Sequence, residues 1–215
     1  MMVSLRQLAE ELDASDMLGH LRNFPQDLAR AWKHSEMWDL SGVENQEFSG
    51  VICLGMGGSA SGGDFLSCLT DADGCLPFVA HRGYGLPTWA SERWLVLSTS
   101  YSGNTEETID ATEAAIDLGC TVVGMSSGGK LKSLLEDAEQ TWVELPGGQP
   151  PRSAFGHIFG AQVALSWRLG ITSPPDDLDS IIKRLEEAVG ACDFVDTEGD
   201  DVIGEMADSI RDREV

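Results

Sequence analysis

The chain has 215 residues, 42% of them apolar, and a formal net charge of -22 from 36 acidic and 14 basic side chains. The apolar share is enough for a sizeable core and excludes wholesale disorder, whereas sparse, scattered Lys and Arg exclude a nucleic acid or an anionic membrane surface as partner. Five cysteines with no CxxC pair and four dispersed histidines point to free thiols in a reducing compartment, the cytoplasm by default, and away from a metal site.

The N-terminal stretch reaches Glu10 and Glu11 without a long apolar run, so neither a signal peptide nor a membrane span is expected. From Leu5 to Trp38 the residues Leu5, Leu8, Leu12, Met17, Leu21, Phe24, Leu28 and Trp32 recur at mostly three- and four-residue steps. That spacing predicts a helical lead-in, with Pro25 breaking it into two helices. A repeated unit follows: a short apolar run, a loop of small residues and an amphipathic segment. Strands are predicted at 51–54, 78–80, 94–98, 121–125 and 141–144, with helices at 60–69, 105–118, 131–138, 153–169 and 178–189. Runs of this kind alternating with helices specify an α/β fold, a doubly wound five-stranded parallel sheet. The expected organisation is a lead-in over 1–45, a ligand-binding domain over 46–170 and a helical linker over 171–215, ending in an acid-rich stretch at Asp212-Arg213-Glu214-Val215.

In such sheets ligands bind beyond the carboxyl ends of the strands, where strand order reverses. Three loops rich in glycine and hydroxyl groups follow predicted strands. Gly55-Met56-Gly57-Gly58-Ser59-Ala60 fits the G-x-G-x-x-G/A dinucleotide pattern. However, the second strand runs into His81-Arg82-Gly83 without the carboxylate that a dinucleotide ribose normally meets. The P-loop pattern is absent. The same glycines also suit a plain strand-to-helix turn. Ser100-Tyr101-Ser102-Gly103-Asn104-Thr105 offers three hydroxyls beside residues that tolerate unusual backbone angles, a cradle suited to a phosphate monoester at a helix N-terminus. Asn104 or Ser102 equally suits a helix cap, with Glu106 and Glu107 as first-turn acids that argue mildly against a nearby dianion. Ser126-Ser127-Gly128-Gly129-Lys130 adds further small residues, Lys130 either facing the ligand or decorating a helix start. Arg152, in Pro150-Pro151-Arg152-Ser153, presents a guanidinium that can fork to a phosphate or sugar oxygen, or pair with a carboxylate.

Taken together, the segment Met56 to Asp64, the run Ser100-Tyr101-Ser102-Gly103-Asn104-Thr105-Glu106-Glu107-Thr108, Ser127-Gly128-Gly129-Lys130-Leu131 and Pro151-Arg152-Ser153 resemble the sugar isomerase (SIS) domain. More narrowly, they resemble the first half of the bifunctional phosphoglucose/phosphomannose isomerases. The resemblance covers roughly 51–169. It implies that Gly58 and Ser59 contact the sugar, that Ser100, Ser102 and Thr105 hold its phosphate, and that Arg152 steadies the reacting oxygens or an enediolate. It further implies a hexose 6-phosphate ligand, aldose–ketose isomerisation through a cis-enediol without a cofactor, and a homodimer. In that family the base glutamate, the ring-opening histidine and a further lysine lie in a second SIS domain, within motifs resembling E-N-x-K and P-E-x-x-H-N-E. Neither motif occurs here. The expectation is therefore a truncated chain carrying the phosphate half-site, with His157 and Glu106 unsupported as substitute bases. The alternative is a non-catalytic sugar-phosphate-binding or regulatory module.

Overall fold

The computed structural model describes residues 5–193, 195 and 202–211; the acidic ending at Asp212 to Val215 lies outside them. The chain divides into two compact units, 27–175 and 1–26 with 176–215.

The larger unit is built on five parallel strands: β1 (Gly50–Leu54), β2 (Phe78–His81), β3 (Trp94–Thr99), β4 (Thr121–Ser126) and β5 (Thr141–Glu144). They lie in the order β2-β1-β3-β4-β5. Every residue of β1, and all but the first residue of β3 and β4, is buried. This is why these strands read as continuous apolar runs and not as alternations. Period-two geometry then sorts their side chains onto two faces. Val51, Cys53, Leu95, Leu97, Val123 and Met125 pack on one face with Leu66 of helix α4 (Gly57–Asp73) and with Ile158 and Leu165 of α7 (Phe155–Arg168). Ile52, Leu54, Val96 and Val122 pack on the other with Ala111 and Ala115 of α5 (Glu106–Asp117) and with Leu131 and Leu135 of α6 (Gly129–Asp137). Gly124 of β4 faces α6, where an added Cβ would sit 2.0 Å from a Leu135 methyl, so glycine there admits the leucine.

After β1 the chain crosses to β2 at the edge, then returns past β1 to β3. Strand order therefore reverses between β1 and β3, the position at which sheets of this kind bind their ligands. Because all five strands run the same way, the loops after β1, β3, β4 and β5 emerge on one rim.

The lead-in comprises three helices: α1 (Leu5–Leu12), α2 (Met17–Arg22) and α3 (Phe24–His34). Pro25 does not break a helix. It occupies the opening turn of α3, where its missing N–H has no intrahelical acceptor to lose. One real break is made by Asp13, whose carboxylate accepts from the amides of Met17 at 2.7 Å and Leu18 at 2.8 Å. In the smaller unit, Arg22 forks onto Asp193 through Nε at 2.6 Å and Nη2 at 2.7 Å. There Asp177 caps α8 (Leu178–Ala191) by accepting from the Ser180 amide at 2.9 Å, and α9 (Val202–Arg211) follows. No helix of the described residues is long and apolar enough to cross a membrane.

Candidate functional site

The loop after β1 is shorter than its glycines suggest. Only Gly55 and Met56 separate the strand from α4, so Gly58 and Ser59 stand in the first turn of that helix. First-turn amides lack an α-helical acceptor and can donate at the rim, although that of Ser59 is taken by the Met56 carbonyl at 3.1 Å. Gly58 is exposed, while Ser59 is buried at 7% exposure with its hydroxyl oxygen accepting from the Tyr101 amide at 3.4 Å.

The loop after β3 forms the middle of the rim. Ser100 is only 1% exposed, and its hydroxyl shares a 2.9 Å hydrogen bond with that of Thr105. Ser100 is thus the floor of the cradle, with Thr105 half-buried above it and Ser102 exposed beside it. The cap of α5 is Thr105, whose side chain makes no capping bond; neither Ser102 nor Asn104 fills that position. Asn104 reaches across to the next loop instead, its Oδ1 accepting from the Lys130 amide in the first turn of α6 at 3.2 Å. Glu106 and Glu107 crowd the Tyr84 hydroxyl in the loop after β2 and push its ionisation upward, Glu106 most strongly.

The loops after β3 and β4 interlock. Ser127 donates to the Tyr101 carbonyl through its amide at 2.9 Å and its hydroxyl at 2.8 Å, and the Leu131 amide donates to the Gly103 carbonyl at 2.9 Å. Gly103 has φ +69°, and a Cβ there would lie 1.8 Å from the Gly128 carbonyl oxygen. Only glycine fits both the angle and the space. Lys130 is exposed at the start of α6.

Arg152 stands in the turn between β5 and α7, ahead of Ser153, whose amide and hydroxyl both donate to the Pro150 carbonyl at 2.9 Å. It is exposed and makes no ion pair among the described residues. The Pro151 carbonyl oxygen lies 3.8 Å from the Cβ position of Gly58, which brings this turn beside the start of α4. The rim therefore gathers Gly58, Ser59, Ser100, Ser102, Thr105 and Arg152 from the segments that follow β1, β3 and β5.

Two buried residues beneath the rim were not singled out by their sequence pattern. Gln162 of α7, fully buried, donates through Nε2 to Thr99 Oγ1 at 3.0 Å and to the Ser59 carbonyl at 3.3 Å, tying α4 to β3 from below. Its signal was a lone amide in the apolar run of α7. Tyr101 is 6% exposed and belongs to the main core cluster. His157 is 5% exposed; its Nε2 lies 3.4 Å from Asp27 Oδ2 and 3.2 Å from Gln149 Nε2. It lines a separate cavity of about 550 Å³ with Arg30, His34 and Trp38, so it stands apart from the hydroxyl cradle. Among the described residues no group of three or more His, Cys, Asp or Glu side chains converges as a metal site would.

This arrangement can receive a phosphate ester on neutral hydroxyls and two helix N-termini, with one guanidinium free for the other end of the ligand. A bifunctional phosphoglucose/phosphomannose isomerase of Caldicellulosiruptor bescii is 32% identical over 173 residues, which span 80% of this chain and 50% of that protein. Proteins of the same name from other organisms match at 31% to 37% identity. The chain is homologous to bifunctional phosphoglucose/phosphomannose isomerases. It spans half or less of the length of these curated relatives. A D-glucosamine-6-phosphate 4-epimerase of Sulfolobus acidocaldarius is 33% identical over 122 residues, 56% of this chain and 38% of that one. Among solved structures, the Escherichia coli tagatose-6-phosphate ketose/aldose isomerase superposes with a TM-score of 0.67 over 84% of this chain and 54% of its own, at 18% identity, a likeness of fold. No family model matches the chain.

Proposed function

We propose that this isomerase homologue carries the phosphate-binding half-site for the interconversion of glucose 6-phosphate and mannose 6-phosphate with fructose 6-phosphate. Ser102 and Thr105 take the phosphate at the N-terminus of α5, with Ser100 fixing the Thr105 hydroxyl from below. The sugar then runs toward the first turn of α4, where Gly58 lets it approach the backbone and Ser59 bounds it. Arg152 meets the C1 and C2 oxygens and stabilises the charge that develops on them as a proton moves between the two carbons through a cis-enediol. In this reading the base and the ring-opening acid come from outside these 215 residues, no cofactor takes part, and the working unit is a cytoplasmic homodimer.

The observation that supports this most is the interlocking of the loops after β1, β3 and β4 by main-chain and hydroxyl hydrogen bonds beside the Arg152 turn. The test is calorimetric titration of the chain with fructose 6-phosphate, paired with a coupled isomerase assay. Binding that weakens about tenfold in Arg152→Ala, with negligible turnover by the chain alone, is expected. Robust turnover by the chain alone would refute the assignment of the base to another part of the protein.

The epimerase relative favours a second reading, in which the same cradle serves chemistry at C4 of an amino-sugar phosphate. Tighter binding of glucosamine 6-phosphate than of fructose 6-phosphate would favour it.

A further inference from the structure

We propose that Tyr101 is a positioning residue that holds the Arg152 turn in register with the phosphate cradle; this rests on the reading of the cradle and Arg152 given above. Tyr101 lies in the chain between Ser100 and Ser102, yet its ring turns inward to 6% exposure. From the loop after β3, its hydrogen bonds reach the other three segments of the rim. The amide donates to Ser59 Oγ at 3.4 Å on the α4 side. The carbonyl accepts from the Ser127 amide and hydroxyl at 2.9 and 2.8 Å on the β4 side. The phenol donates to the Pro146 carbonyl at 2.9 Å and accepts from the Gln149 amide at 3.2 Å, clasping the β5–α7 connection three residues before Arg152.

That connection needs clasping. It runs over 145–154 with Gly147 and Gly148 beside Pro146, Pro150 and Pro151, and has no regular structure to stiffen it. Besides the phenol, Gln149 is held by its side chain, whose Nε2 donates to Asp27 Oδ2 at 3.0 Å. A hydroxyl that both donates and accepts spans the turn in a way that no apolar ring can. Burial raises the pKa of this phenol, so it keeps the proton it donates. A phenylalanine would fill the same space in the core, so the hydroxyl adds geometry more than packing. The consequence falls on the guanidinium, because freedom gained at Gln149 passes along three residues to Arg152, while the Ser102–Thr105 end of the cradle keeps its own bonds.

The experiment compares wild type with Tyr101→Phe and Arg152→Ala, alone and combined. By hydrogen exchange on the ligand-free chain, the Gln149 amide of Tyr101→Phe should exchange about tenfold faster, with β3 amides unchanged. By calorimetry, fructose 6-phosphate affinity should fall about threefold to tenfold while inorganic phosphate affinity stays within about twofold. In the Arg152→Ala background the tyrosine change should have no further effect. An unchanged Gln149 amide, an equal loss for both ligands, or additive losses would each overturn the proposal. Failure of wild type to bind fructose 6-phosphate would refute the reading of the site itself, and the Gln149 exchange rate alone would then decide whether the phenol holds the turn.

Discussion

Replacing Gly103 with alanine tests whether the rim loops are one interlocked unit. Two costs arise. At φ +69° the new side chain meets the left-handed penalty, about 1–2 kcal/mol. Its Cβ would also sit 1.8 Å from the Gly128 carbonyl oxygen, where ordinary contact begins near 3.4 Å, so the β4 loop must retreat by roughly 1.6 Å. A retreat of that size breaks the bond from the Leu131 amide to Gly103 and strains that from the Lys130 amide to Asn104, each worth about 1 kcal/mol. The sum is about 3–4 kcal/mol, a large part of the 5–15 kcal/mol typical of a folded domain. Gly170 supplies a matched control, with φ +65° and nothing within 4 Å of its Cβ position, so alanine there incurs the angle penalty alone. Gly42, with no left-handed angle and nothing within 4 Å, should be neutral within about 0.5 kcal/mol. Urea unfolding of the three variants should rank them Gly42, Gly170, Gly103 in rising cost, the last with weakened sugar-phosphate binding. Equal losses at Gly103 and Gly170 would refute the interlock.

Four further outcomes are expected. Ser102→Ala combined with Thr105→Ala should weaken fructose 6-phosphate binding by about tenfold or more in calorimetry, and unchanged affinity would put the phosphate elsewhere. Asp27→Ala, which strips a 1% exposed side chain from His157 and Gln149, should cost about 3 kcal/mol in urea unfolding; a neutral result would contradict the buried network. Burial, with Asp64 adding to it, pushes the Cys53 thiol up to about 12. At pH 8 iodoacetamide should therefore modify exposed Cys68, Cys75 and Cys192 and spare Cys53, and labelling of Cys53 at the rate of Cys68 would contradict this. The folded chain also keeps a proton here that the unfolded chain loses near pH 9, so this stabilisation is complete below pH 9 and declines as pH rises toward 12. Wild type should lose more stability between pH 8 and pH 10.5 than Cys53→Ala does.

The sheet was legible because burial on both faces leaves a plain trace. Val51-Ile52-Cys53-Leu54 and Leu95-Val96-Leu97 are unbroken apolar runs, and each ends in small residues at the turn to its loop. The loops were legible as chemistry for the same reason, since glycine and hydroxyl side chains gather where backbone amides must stay open. Spatial partnership was not legible. Asn104 reads as a cap for the helix that follows it, yet it serves α6, some 26 residues on, because the loops after β3 and β4 lie side by side. Pro25 reads as a break, yet proline is as compatible with a helix's first turn as with its end. Gly58 and Ser59 read as loop, yet α4 begins at Gly57, since residues of poor helix propensity are accepted where close packing and open amides are needed. Tyr101 and Gln162 act through hydrogen bonds to carbonyls and amides far along the chain, and no local spacing encodes such partners.

The most direct measurement is a crystal of this chain soaked with fructose 6-phosphate. The phosphate should lie at the N-terminus of α5 against Ser102 and Thr105, with C1 and C2 toward Gly58 and the Arg152 guanidinium. Density for the sugar phosphate in the cavity beside Arg30, His34 and Trp38, with the rim left empty, would contradict it.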